Sequence, residues 1–343
     1  MKKVLALLAA FALSACMGEE EAKVLKLSGK TMGTTYNVVA VGVPGDVSEE
    51  ALSADVESVL ADVNSKMSNW DKKSEVTLFN VSTETAPVTI SGDFVTVMSA
   101  ANQVHDLSDG KFDVTLGPLI ELWGFGPRKP EDPVPSDGDI TAALAFVGQK
   151  DRLTLDEEGS TISKSAAEVG INLSAIAKGF GIDAVAGKLK ALGIENYMVE
   201  IGGDLVAAGE NEKGEDWKIG IEKPEPGEKV VELVVEIEDR GLATSGDYRN
   251  FVEHEGVRYS HIIDPTTGRP ITHRTTSVSV IAESAMMADA WATAMLVLGS
   301  ERGLEIAEAN NIAVYLISRG GNGAENPYVT VASSAFDALM KDK

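Results

Sequence analysis

The sequence predicts an α+β fold, with largely antiparallel or mixed sheets packed against helices. Two observations carry this. Strand-like runs are frequent and bounded by turns, and the helical stretches among them follow no strict strand–helix–strand rhythm. No tandem repeat or long low-complexity run interrupts the pattern.

The elements follow in order. Residues 34–43 (TTYNVVAVGV) read as a strand. Residues 48–67 carry Leu52, Val56, Val59, Val63 and Met67 at steps of three and four, the spacing of an amphipathic helix. Ser48 suits its N-cap, and Glu49 and Glu50 suit the positive end of its dipole. A second helix at 92–107 presents Phe94, Val97, Met98, Ala101 and Val104 on one face. The Pro-rich stretch RKPEDPVPSDGD, 128–139, reads as a surface loop or linker. A third helix is expected over about 175–192, and strands over 197–201, 217–222 and 230–238. In the last, Val231, Leu233, Val235 and Ile237 alternate with more polar positions. Further strands fit 257–263, 276–282 and 312–318; a long helix fits 284–298, and a shorter one begins at Ser300.

The N-terminus MKKVLALLAAFALSACMG has a basic start and an apolar run of about ten residues, too short for a spanning helix. Leu13-Ser14-Ala15-Cys16 resembles a bacterial lipoprotein box, in which cleavage precedes a lipidated Cys. Cys16 is the chain's single cysteine, so an exported protein of this sequence has no internal disulfide to make. The expected organisation is a signal peptide over 1–15, a lipidated tether over 16–23 and one domain over 24–343. That places the protein facing the periplasm, anchored to a bacterial membrane by lipid. The 53 acidic residues outnumber the 30 basic ones, for a formal net charge of −23. Such a surface excludes nucleic acid as a partner, since that binding rests on basic groups meeting phosphates. An anionic ligand would need a cation or local basic groups to offset the repulsion.

Five stretches carry candidate chemistry. KTMGTTY, 30–36, sets small and hydroxyl residues around Gly33, as a close approach to a ligand or a plain turn would. DGKFDVTLGPLIELWGFG, 109–126, mixes aromatics with glycines, which suits a planar ring ligand or a packed loop. INLSAIAKGFG, 171–181, runs from a short strand into a helix near Ser174, with Lys178 in the first turns. It suits a phosphate but lacks P-loop spacing. MMADAWATAML, 286–296, puts Asp289 and Thr293 on one face of an apolar helix. A carboxylate there is costly unless paired or metal-bound, and an oxygen-rich pair suits Mg²⁺; capping a neighbouring loop is the other reading. YSHIIDPTTGRP, 259–270, flanks two isoleucines with His261 and Asp264 before a turn.

Taken together, in order and spacing, these stretches resemble the ApbE family of FAD:protein FMN transferases. MSNWDKKSEVTLFN, the Gly-Gly-Asp of EIGGDLVAAG, and ATSGDYRNF extend the likeness along nearly the whole chain from Lys30. The resemblance implies an ApbE-type, T-fold-like architecture. It implies that FAD is split and FMN joined by a phosphodiester to a Thr or Ser hydroxyl of an acceptor protein, with AMP leaving. Some members instead hydrolyse FAD to FMN and AMP, so a pyrophosphatase, or a flavin-binding lipoprotein without turnover, stands as the alternative. By the same resemblance, Met32, Trp70, Gly110, Lys111, Phe112, Asn172, Lys178 and Ile263 contact FAD. Asp289, Thr293 and the carbonyl of Ala175 hold Mg²⁺, and the acceptor is a membrane redox subunit of Nqr or Rnf type. Position 70 is often Tyr in the family and is Trp here; position 172 is often Asp and is Asn here. His261 is the candidate general base, because an ordinary histidine pKa of about 6.5 suits proton transfer near neutrality. Asp264 is expected to support it or the loop.

Overall fold

The computed structural model describes residues 22–126, 134–225, 230–248, 251–321 and 326–341. The signal sequence and Cys16 lie outside these residues, as does the first half of the Pro-rich stretch, 128–133. In chain order the elements are β1 (Val24–Thr31), β2 (Thr34–Val41), α1 (Glu49–Met67), α2 (Glu75–Val81), β3 (Val88–Thr89), α3 (Gly92–Leu107), α4 (Gly117–Leu122), α5 (Asp137–Leu144), α6 (Gln149–Arg152), β4 (Leu153–Asp156), β5 (Thr161–Lys164), α7 (Ala177–Ala191), β6 (Asn196–Ile201), β7 (Asp204–Ala208), β8 (Trp217–Glu222), β9 (Val231–Ile237), β10 (Arg240–Gly246), β11 (Phe251–His254), β12 (Val257–Ser260), β13 (Ile263–Asp264), β14 (Arg269–Pro270), β15 (Thr275–Ala282), α8 (Ala285–Ala309), β16 (Ala313–Arg319), β17 (Tyr328–Ala332) and α9 (Ser334–Lys341).

The expected α+β fold is present. Its centre is an eight-stranded sheet in the order β1-β2-β6-β7-β10-β15-β16-β17, with every neighbouring pair antiparallel. Every residue of β7 and the first seven of β15 are buried, because both faces of the sheet are covered there. One face carries α1, α3, α7 and α8. The other carries the β8–β9 hairpin and α9, through Trp217, Ile221, Val235, Ile237 and Phe336.

The helix spacings predict α1 and α3 well. In α1, Leu52, Val56, Leu60, Val63 and Met67 are buried, while Val59 is only partly so; Ser48 Oγ accepts the Ala51 N–H at 3.1 Å. Each fully buried Leu or Val of that stripe contributes roughly 1.5–3 kcal/mol. The expected alternation in β9 holds for Val235 and Ile237, but the ladder bulges at Ile221/Glu222 and leaves Val231 exposed. Asp137, expected in a loop, opens α5 instead, because Ser136 and Asp139 form a reciprocal capping box. The third helix begins at Ala177, later than expected, and residues 171–173 form no strand. Asn69 and Asn80 hold that segment by bonds to the Ile171 and Leu173 backbone. In α8 the backbone breaks at Gly299 (φ 76°, ψ 174°), where the sequence placed the end of one helix and the start of another.

Candidate active site

Helix α8 supplies the floor of the site, and its N-terminus is held from three sides. Ser284 caps it by accepting the Met287 N–H at 3.2 Å. The Asp183 carboxylate of α7 accepts the N–H groups of Ala285 and Met286, each at 2.9 Å. Gly179 and Gly241 press against the same turn; a Cβ on either would stand about 2.6 Å from Met286 Cα or Ala285 Cα. Four and eight residues beyond Ala285, Asp289 and Thr293 project from one face toward β7 and β10.

There Asp289, only 3 % exposed, meets Lys178 from the first turn of α7 and Asp204 from the start of β7. Lys178 Nζ donates to Asp204 Oδ2 and, at 3.3 Å, to Asp289 Oδ1. The Gly179 N–H donates to Asp289 Oδ2 at 3.1 Å, so the carboxylate also serves a neighbouring backbone. Asp204 Oδ1 accepts the Thr244 N–H at 3.0 Å. Thr293 Oγ1 lies 3.1 Å from Ser245 Oγ. Burial pushes the Asp289 carboxyl up to about 6, opposed by Lys178 and reinforced by Asp204. Burial also works against the Lys178 charge, but Asp289 and Asp204 outweigh it and raise its pKa.

Above this floor opens a cavity of about 570 Å³, within the usual range for a small-molecule site. Its walls include Lys111, Phe112, Asn172, Ala175, His261 and Ile263, all singled out from sequence. The wall also includes Thr34, Thr35, Glu200, Gly202 and Gly203, the hairpin residues Ile219, Gly220 and Glu222, and Ser245, Gly246 and Tyr248. The turn after His261 is tied down firmly. Lys111 Nζ donates to Asp264 Oδ1 at 2.7 Å and to Thr266 Oγ1 at 2.8 Å. Trp123 Nε1 donates to the Gly268 carbonyl at 2.8 Å. His261 meets the Phe125 ring edge-on, with centroids 6.2 Å apart.

A sequence-family model, the ApbE family, matches residues 32–316. The chain belongs to the ApbE family. A Haemophilus influenzae relative described as an FAD:protein FMN transferase is 45 % identical over 99 % of this chain and 98 % of its own. The solved flavin transferase ApbE of Vibrio cholerae superposes with a TM-score of 0.84 at 45 % identity, over 92 % of this chain and 99 % of that one. The flavinyl transferase ApbE of Pseudomonas stutzeri gives 0.84 at 40 % identity, over 94 % and 98 %.

Of the residues that the ApbE resemblance implied for FAD, Met32, Trp70 and Gly110 are not among the cavity walls. Met32 takes a positive φ of 49° in the β1–β2 turn, and its Cε packs on Gly181 behind the site. Trp70 is 70 % exposed in the turn before α2. Gly110, at φ 73°, abuts His105 and sets the turn that brings in Lys111 and Phe112. Asn172 uses its Oδ1 to accept the Ser174 N–H at 3.0 Å.

The residues implied for the metal do converge. Asp289, Thr293 and Ala175 all line the cavity, and the ammonium already seated between Asp289 and Asp204 shows that the pair accommodates a cation. Among the described residues, no three His, Cys, Asp or Glu side chains form a metal-binding group. The donors present are hard oxygens, which fits Mg²⁺ and not zinc. Asp204 is the charged residue of the floor that sequence reasoning missed. Its signal was a carboxylate after Gly202-Gly203 at the head of an apolar strand.

Proposed function

We propose that this chain transfers FMN from FAD to a Thr or Ser hydroxyl of an acceptor protein, forming a phosphodiester and releasing AMP, with Mg²⁺ bound. The observation that carries the reading is the convergence of Asp289, Thr293, Ala175 and Lys178 on the floor of one cavity that has His261 in its wall. Family membership and the names of the relatives support the same activity.

The Asp289 carboxylate, the Thr293 hydroxyl and the Ala175 carbonyl would hold the ion. When bound, it would neutralise pyrophosphate charge and so offset the repulsion from an acidic protein. Lys178 adds a fixed positive charge beside the same phosphates. Phe112 and Ile263 supply apolar wall for the flavin ring. The acceptor oxygen bonds to the FMN phosphorus while the bond from that phosphorus to the AMP oxygen breaks. The hydroxyl proton passes to the His261 imidazole. Asp264 serves the loop in this account, because its carboxylate is engaged by Lys111 and by the Thr266 N–H at 2.8 Å.

The Leu13-Ser14-Ala15-Cys16 box supports a lipid anchor on Cys16 and a periplasm-facing enzyme. An acceptor of that setting is the exposed domain of a membrane redox subunit, of Nqr or Rnf type. The test is incubation with FAD, Mg²⁺ and such a domain. A fluorescent acceptor band with an FMN-sized mass gain and stoichiometric AMP is expected. AMP without labelled acceptor would replace transfer by hydrolysis, and intact FAD would refute both.

A further inference from the structure

Asp204 sits 2 % exposed at the head of β7, and its two oxygens do different things. Oδ1 is fixed to the sheet through the Thr244 N–H of β10. Oδ2 takes the Lys178 ammonium, which also reaches Asp289 at 3.3 Å. Lysine and a divalent ion therefore compete for Asp289. A lysine offered one carboxylate would settle on it wholly, and any metal would have to displace it. Here a second carboxylate offers another seat. It belongs to a strand, so it does not travel with either helix.

We propose that Asp204 is a positioning residue that holds the Lys178 ammonium off Asp289, leaving Asp289 free for a divalent ion while Lys178 stays in the cavity wall. This rests on the assignment of the metal to Asp289. Direct attraction between Asp204 and the ion would also favour binding, but that effect does not need the lysine. The two are separated by a double-mutant cycle.

Mg²⁺ binding to the full-length protein without FAD is measured by calorimetry for wild type, Asp204→Asn, Lys178→Met, the double variant and Asp289→Ala. Asn keeps an oxygen for the Thr244 N–H, and melting curves check that each variant is folded. Asp204→Asn is expected to weaken Mg²⁺ binding about tenfold or more, the usual effect of losing a partner that orients a ligand. Lys178→Met is expected to bind at least as tightly as wild type, and the double variant to lie within about twofold of Lys178→Met. Unchanged affinity in Asp204→Asn, or a loss of the same size in the Lys178→Met background, overturns the proposal. Should Asp204→Asn not fold, Lys178→Met alone decides: tighter or equal binding supports the proposal, weaker binding overturns it. Asp289→Ala keeps the two readings apart. Binding that survives there removes the metal assignment and this inference together. Binding lost there but intact in Asp204→Asn removes this inference alone.

Discussion

Replacing Gly179 with alanine would place a Cβ 2.5 Å from the Ala285 carbonyl carbon and 2.6 Å from Met286 Cα. Carbon atoms rest about 3.5–4.0 Å apart, so α7 and α8 must separate by roughly 1 Å. Both neighbours are backbone, and Asp183 and Ser284 pin that turn, so no side chain can swing away to absorb the change. Overpacking of this kind costs about 1–3 kcal/mol of stability. The effect on chemistry is expected to be larger. Helix α7 carries Lys178, α8 carries Asp289 and Thr293, and the Gly179 N–H itself holds Asp289 Oδ2. A 1 Å misplacement at a reacting centre costs on the order of 10²-fold in rate. Gly187→Ala is the control: it lies on the same helix with nothing within 4 Å of its Cβ, and is expected to stabilise by about 0.5–1 kcal/mol. The assay is AMP release from FAD, beside thermal unfolding. If Gly179→Ala melted and turned over like wild type, the helix crossing would not be what sets the site.

Three further outcomes are expected. Folding raises the Asp289 pKa from 3.8 to about 6, so its contribution to metal-free stability is full below 3.8 and is lost as pH rises through about 6. Mg²⁺ takes the ionised carboxylate; its stabilising shift in melting temperature should therefore be complete above about 6 and fade as pH falls below it. A shift independent of pH would place the ion elsewhere. His261→Asn should lower transfer about 10²–10⁴-fold, while flavin fluorescence titration still reports FAD binding; a full rate would discard the general base. Lys164→Met should destabilise by about 1–3 kcal/mol in denaturant unfolding, since the buried ammonium serves the carbonyls of Ala167 at 2.9 Å and Phe79 at 3.1 Å. Stability equal to wild type would mean that those carbonyls find other partners.

Local spacing carried the helical half of the site into view. Asp289 and Thr293 are one turn apart in an apolar helix, and that pattern needs no tertiary information to read. Lys178 likewise stands at a recognisable helix start, although the structure begins the helix at Ala177. Asp204 and Ser245 escaped because they reach the floor only through the antiparallel register of β7 and β10, which pairs Leu242 with Leu205 across a gap of nearly forty residues. The hairpin wall of Ile219, Gly220 and Glu222 escaped for a related reason. Its strands were expected, but which of their residues would border a cavity depends on how the hairpin lies over the sheet. Strands β1, β3, β4, β5, β7, β10, β11, β14 and β17 and helices α2, α4, α5, α6 and α9 were not anticipated; most are short, and α5 is set by a cap at the edge of a Pro-rich stretch.

The hold on the start of α8 divides the cavity into two kinds of wall. Behind Asp289 the backbone is hemmed in by two glycine contacts and two carboxylate-bound amides, so almost any side-chain change there is a change of geometry. At Ile219, Gly220 and Glu222 the wall is the exposed or half-buried outer part of a hairpin that shares no residue with the metal-binding floor. Variation among relatives, or deliberate redesign of what enters the cavity, therefore has its freedom at the hairpin, while the helical floor tolerates little.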